Sequence, residues 1–303
     1  MALSVERKNE IKKVLEETGG ATRLFSQRII PEDYESYQTK VERKEIELPV
    51  PKVGVPVKCY IAIAKDKAKV CPVHINVHGG GFIFGHEMED DLYSAYVAAN
   101  IHGMVIDIDY ATSWDHPFPV AFEQCYAVAQ WVFTKCEEWG ADPSKISMGG
   151  HSAGGCLTAA VALKAAETKD FNLCLQVLDY AAIDNYSVTL SENRKRETAF
   201  SMLYADGDIE TLQTPYCSPA FATDEMISSQ PKALIITAGQ CPFKEVNEKY
   251  GKRLASKGTE VIMKSFVNSK HGFTVHMTGA WRQALELIVK TILDSSLNTG
   301  LEE

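Results

Sequence analysis

The chain has 303 residues, 45% of them apolar and 23% charged, with a formal net charge of −9. That composition supports a sizeable buried core, and an acidic excess without a basic stripe excludes nucleic acid or an anionic membrane surface as a partner. The first eight residues lack the apolar run of a secretory leader and no later run is long enough to cross a bilayer, which predicts a cytoplasmic protein. Homodimerisation is left open. Eight scattered cysteines form no Cys-x-x-Cys pair and no zinc-type spacing, so they read as reduced, mostly structural thiols, and no metal or cofactor is expected.

In chain order, residues 4–27 read as a polar amphipathic helix broken at Gly19-Gly20, and residues 28–45 as charged, irregular chain. Strands are expected at 56–63, 72–77, 103–109, 145–150, 173–179, 232–238 and 260–266. Helices are expected at 90–101, 120–138, 153–167, 242–256 and 279–295. Continuously apolar strands such as 103–108 and 233–237 suit a parallel sheet covered on both faces. The fold class is therefore α/β, a mostly parallel, doubly wound sheet. Residues 184–223 break the alternation yet carry Tyr186, Phe200, Met202, Leu203, Tyr204 and Tyr216. They read as a helical insertion that packs with residues 1–45 as a cap over a core formed by 46–183 and 224–303.

Two motifs stand at strand ends, where ligands of such sheets bind. Residues 145–148 run into Gly149-Gly150-His151-Ser152-Ala153-Gly154-Gly155. A strand ending in Gly-x-Ser-x-Gly that turns directly into a helix is a nucleophile elbow: small residues flank the serine because strand and helix pass closely there. Upstream, the strand 73–77 leads into His78-Gly79-Gly80-Gly81-Phe82. Three glycines after a strand leave backbone N–H groups uncovered, as an oxyanion hole requires. Together the motifs point to acyl chemistry at Ser152.

The motifs in this order resemble the hormone-sensitive lipase family of α/β-hydrolases over about residues 45–295. The likeness rests on His78-Gly79-Gly80-Gly81-Phe82, on Asp109-Tyr110 with His116-Pro117-Phe118-Pro119, on Gly150–Gly155, on Ser218-Pro219 and on His271-Gly272-Phe273. It implies a carboxylic-ester hydrolase with Ser152 as nucleophile, His271 as general base and the amides of Gly80, Gly81 and Ala153 as oxyanion hole. The substrate would be a small ester with a short acyl chain, a preference drawn from the family and from the bulky Phe82, Tyr110 and Trp114. His151 and His276 fit no catalytic position.

The resemblance fails at the acid. The family's triad aspartate falls at Cys241 in Cys241-Pro242-Phe243-Lys244-Glu245, and a neutral thiol cannot stabilise an imidazolium as a carboxylate does. Glu245, one helical turn later, and Asp184, beyond a neighbouring strand, are the available substitutes, with Glu245 preferred. If neither serves, the broken triad is that of a weakened enzyme or of a non-catalytic relative that binds a small ligand. A peptidase is a third reading, disfavoured because the chain has no propeller-like extra domain.

Overall fold

The computed structural model describes residues 3–20 and 30–297. Residues 21–27 of the expected N-terminal helix thus lie outside the described residues. The helix α1 runs Val5–Glu17, capped by the Ser4 side chain. A short turn of helix, α2 (Glu32–Glu35), leads into the strands β1 (Val41–Leu48), β2 (Val57–Ala64) and β3 (Cys71–Val77). From there strands and helices alternate: α3 (Met88–Asn100), β4 (Met104–Asp109), α4 (Val120–Lys135), β5 (Ala141–His151), α5 (Ala153–Thr168) and β6 (Leu175–Asp179). Then come α6 (Lys195–Tyr204), the one-turn α7 (Asp224–Ile227), β7 (Lys232–Gln240), α8 (Lys244–Ser256), β8 (Val261–Lys270) and α9 (Trp281–Leu297).

The eight strands form one sheet in the order β1-β2-β4-β3-β5-β6-β7-β8. Pairings β1–β2 and β2–β4 are antiparallel, and all from β4 onward are parallel. Alternate residues of β7 show how both faces are covered. Leu234 and Ile236 pack with α3 and α9, while Ala233 and Ile235 pack with α5 and α8. The sheet's continuous apolar runs follow from this two-sided burial.

The strand β1 corrects the expectation of irregular chain over 28–45. Its sequence Val-Glu-Arg-Lys-Glu-Ile-Glu-Leu is largely exposed, and it pairs with β2 alone. An edge strand needs only one apolar face, and charges along it discourage pairing with another molecule.

The excursion between β6 and β7 contributes α6, which packs against α1. Ile11 and Leu15, one turn apart on α1, join Ala199 and Leu203 of α6 and Ile83 of the glycine loop in a small apolar cluster. Phe84 and Phe200 border that cluster. The N-terminal helix and the excursion therefore sit together against the loop that follows β3. No described helix is long and apolar enough to cross a membrane.

Candidate active site

Ser152 sits between β5 and α5 with φ 54° and ψ −112°. A non-glycine residue at positive φ is strained and persists only where its surroundings hold it. Here the Ser152 N–H donates to the Asp179 carbonyl at 3.0 Å, and its carbonyl accepts from Ala182 and Cys156. The flanking glycines are obligatory. A Cβ on Gly154 would stand 1.9 Å from the Val77 carbonyl oxygen, and one on Gly150 would stand 2.3 Å from the Gly154 carbonyl carbon.

The glycine loop lies against this elbow. A Cβ on Gly79 would fall 3.6 Å from that of Ser152. Gly80 and Gly81 adopt φ of 117° and 61°, the conformations for which glycine is suited. Among the described residues, the N–H groups of Gly80, Gly81 and Ala153 make no loop or turn hydrogen bond to backbone. Gly80 and Gly81 line a cavity of about 300 Å³ that also receives Ser152 and His271.

The loop after β8 brings His271 onto the serine. Its Nε2 lies 2.8 Å from Ser152 Oγ. Its ring packs edge-on against Tyr180 and tilted against Phe243. Burial, reinforced by the charge of Arg196 and by His276, pushes the imidazole down to about 3, so it is a neutral base at ordinary pH. On the far side of the ring, Nδ1 lies 3.0 Å from Cys241 Sγ. Cys241 is buried, and that burial raises its thiol to about 12.

No carboxylate takes the sulfur's place. Glu245 is exposed and lines a second cavity together with Asp184, on the other side of Phe243, which borders both cavities. The expectation for Glu245 assumed a helix continuous from Cys241, but α8 begins at Lys244. Residues 241–243 form a turn closed by Lys244 N–H on the Cys241 carbonyl, so Glu245 does not lean back over the thiol. The Asp184 carboxylate accepts the N–H groups of Tyr186 and Ser187 instead. Neither acid orients His271 in this geometry.

Sequence reasoning missed three features of the cavity. Asp179 at the end of β6 is fully buried and pairs with His151 Nδ1 at 2.9 Å, with burial pushing its carboxyl up. His151, which was expected only to fit no catalytic position, is thus buried against a partner that the apolar strand had hidden. Arg196 and Glu197 of α6 reach the cavity as an ion pair. Phe200 is the third. A Cβ on Gly81 would lie 2.7 Å from the Phe200 ring, so that ring sits directly on the glycine loop. Of the bulky residues invoked for a small pocket, Phe82 lines the cavity but is stacked on Tyr204. Tyr110 stacks on His78, and Trp114 borders the cluster with α1. His276, bordering the cavity, stands 3.8 Å from Glu89.

A profile of the alpha/beta hydrolase fold matches residues 74–275. Esterase LipI of Mycobacterium tuberculosis is 31% identical over 217 residues, 69% of this chain and 67% of that protein. The arylesterase of Saccharolobus solfataricus is 26% identical over 240 residues, 77% of each chain. Among solved structures, carboxyl esterase 2 of the fungus Tuber melanosporum superposes with a TM-score of 0.78 at 26% identity, covering 97% of this chain and 99% of that one. The chain belongs to the α/β-hydrolase fold family, as its resemblance to the hormone-sensitive lipases implies.

Proposed function

We propose that the protein hydrolyses small carboxylic esters through an acyl-enzyme on Ser152. The observation that carries this reading is the 2.8 Å contact between Ser152 Oγ and His271 Nε2 at a strained elbow facing the glycine loop. Oγ attacks the acyl carbonyl while Nε2 takes its proton, and the amides of Gly80, Gly81 and Ala153 receive the developing oxyanion. The imidazolium then gives the proton to the leaving alcohol, and water, activated by the same nitrogen, releases the acid. Relatives named as esterases over most of the chain support the reaction class.

The cavity of about 300 Å³ with the Phe200 ring against Gly81 supports a short acyl chain. A second reading, a weakened or non-catalytic binder of small ligands, is favoured by one observation: the group on Nδ1 is a thiol and not a carboxylate. Hydrolysis of p-nitrophenyl acetate separates the two. Turnover that Ser152→Ala and His271→Ala each abolish supports the hydrolase. No turnover at any pH, with a ligand held tightly in the cavity, supports the binder.

A further inference from the structure

The chemistry of the sulfur on Nδ1 has a consequence for the proton on His271. Among the described residues, Sγ of Cys241 has two hydrogen-bond partners. The Phe243 N–H points at it from 3.4 Å, and His271 Nδ1 lies 3.0 Å away. A neutral thiol is a weak acceptor with a single S–H to give. The Phe243 amide takes one of the sulfur's two lone pairs, and among the described residues Nδ1 is the acceptor within reach of the S–H, so the S–H donates to Nδ1. A neutral imidazole accepts at one nitrogen and carries its proton on the other. With Nδ1 accepting, the proton sits on Nε2, and Nε2–H faces Ser152 Oγ. In that tautomer nothing can take the serine's proton. A carboxylate could not create this state, because it only accepts and so fixes the proton on Nδ1.

We propose that Cys241 is a positioning residue that holds resting His271 in the unproductive Nε2–H tautomer and permits catalysis when its thiol ionises. The inference rests on the reading of Ser152 and His271 given above. The proton balance is simple. Hydroxide takes the S–H proton, the thiolate becomes an acceptor, and the imidazole proton moves through solvent from Nε2 to Nδ1, where it donates to sulfur. Nε2 is then free to take the proton of Ser152 as the Oγ–acyl bond forms, and later returns it to the leaving oxygen.

The surroundings favour the neutral pair over a thiolate–imidazolium pair. Burial raises the thiol to about 12; Asp179, at the end of β6, and Glu197 of α6 push the same way, while the Phe243 amide and Arg194 oppose them. The imidazole is pushed down by burial, by Arg196 of α6 and by His276 of its own loop. Both partners are therefore held uncharged until the medium is strongly alkaline.

The test combines rate profiles and tautomer spectroscopy on the intact protein. On p-nitrophenyl acetate, corrected for spontaneous hydrolysis, kcat/KM should rise about tenfold per pH unit between about pH 7 and pH 10. Cys241→Asp should reach its plateau by about pH 8, and Cys241→Ser, whose hydroxyl donates but does not ionise in this range, should lose the alkaline rise. By ¹⁵N NMR near neutral pH, His271 should carry its proton on Nε2 in the unsubstituted and Cys241→Ser proteins, and on Nδ1 in Cys241→Asp. A flat profile over that range, an alkaline rise kept by Cys241→Ser, or Nδ1–H in the unsubstituted protein overturns the proposal. If no variant, Cys241→Asp included, turns over any ester, the hydrolase reading has failed instead, and the tautomer measurement still decides the role of the thiol.

Discussion

Phe200 offers the most direct handle on substrate size. Its ring comes from α6 and lies against Gly81, the last glycine of the loop after β3, at the wall of a cavity of about 300 Å³. Phe200→Ala removes that wall and leaves the backbone of the loop in place. Each methylene of an acyl chain that leaves water for the opened space gains about 0.8 kcal/mol. Four further methylenes, butyryl to octanoyl, would gain about 3 kcal/mol, on the order of a 10²-fold rise in kcat/KM for octanoyl relative to butyryl. The half-buried ring also joins α6 to the apolar cluster of Ile83 and Leu15, so the substitution should lower stability by about 2 kcal/mol. The assay is kcat/KM for p-nitrophenyl esters from acetyl to decanoyl, at a temperature where both proteins are folded. An unchanged chain-length profile in Phe200→Ala, or a preference for decanoyl already present without the substitution, would refute the assignment of Phe200 as the limit on acyl length.

Other substitutions probe the frame of the site. Gly154→Ala should cost about 3 kcal/mol or more, since its Cβ would overlap the Val77 carbonyl; thermal unfolding reads the loss, and ester turnover should fall with it. The imidazole of His271 should remain unprotonated by NMR from pH 8 down to about 4, whereas in Cys241→Asp the new anion should raise it so that it titrates near about 6 to 7. His86 tests the electrostatics away from the serine. Burial alone would lower it, but the Asp107 carboxylate at 3.2 Å lifts it from 6.5 to about 9. The native state then holds a proton that the unfolded chain releases above 6.5. That stabilisation is fully present below pH 6.5 and fades as pH rises through 9, by about 3 kcal/mol in total. Denaturant unfolding of His86→Gln should lack this decline.

The elbow and the glycine loop were legible in the sequence because backbone geometry alone demands their residues. A positive φ at Gly81, and near-contact of α5 with β5 at Gly150 and with the end of β3 at Gly154, admit nothing larger. The central strands were legible for a similar reason: burial on both faces leaves unbroken apolar runs such as β3 and β7. The strand β1 was not, since an edge strand with exposed Glu and Lys carries no such run. Glu245 was misplaced by assuming helical spacing from Cys241 onward: the helix expected from 242 begins at Lys244, and the turn before it does not set Glu245 beside the thiol. Phe200 and the Arg196–Glu197 pair reach the cavity only because α6 docks on α1 and the glycine loop. Nothing in their local sequence encodes that placement.

Covalent capture of the nucleophile tests the central claim most directly. The protein and its Cys241→Asp variant are treated with a fluorophosphonate near about pH 9, where only a small fraction of the buried thiol is ionised, and the modified peptide is mapped by mass spectrometry. The account predicts a single adduct on Ser152, formed faster in the variant and absent from His271→Ala. Ester turnover that persists with Ser152 unmodified, or an adduct on another residue that abolishes turnover, would contradict it.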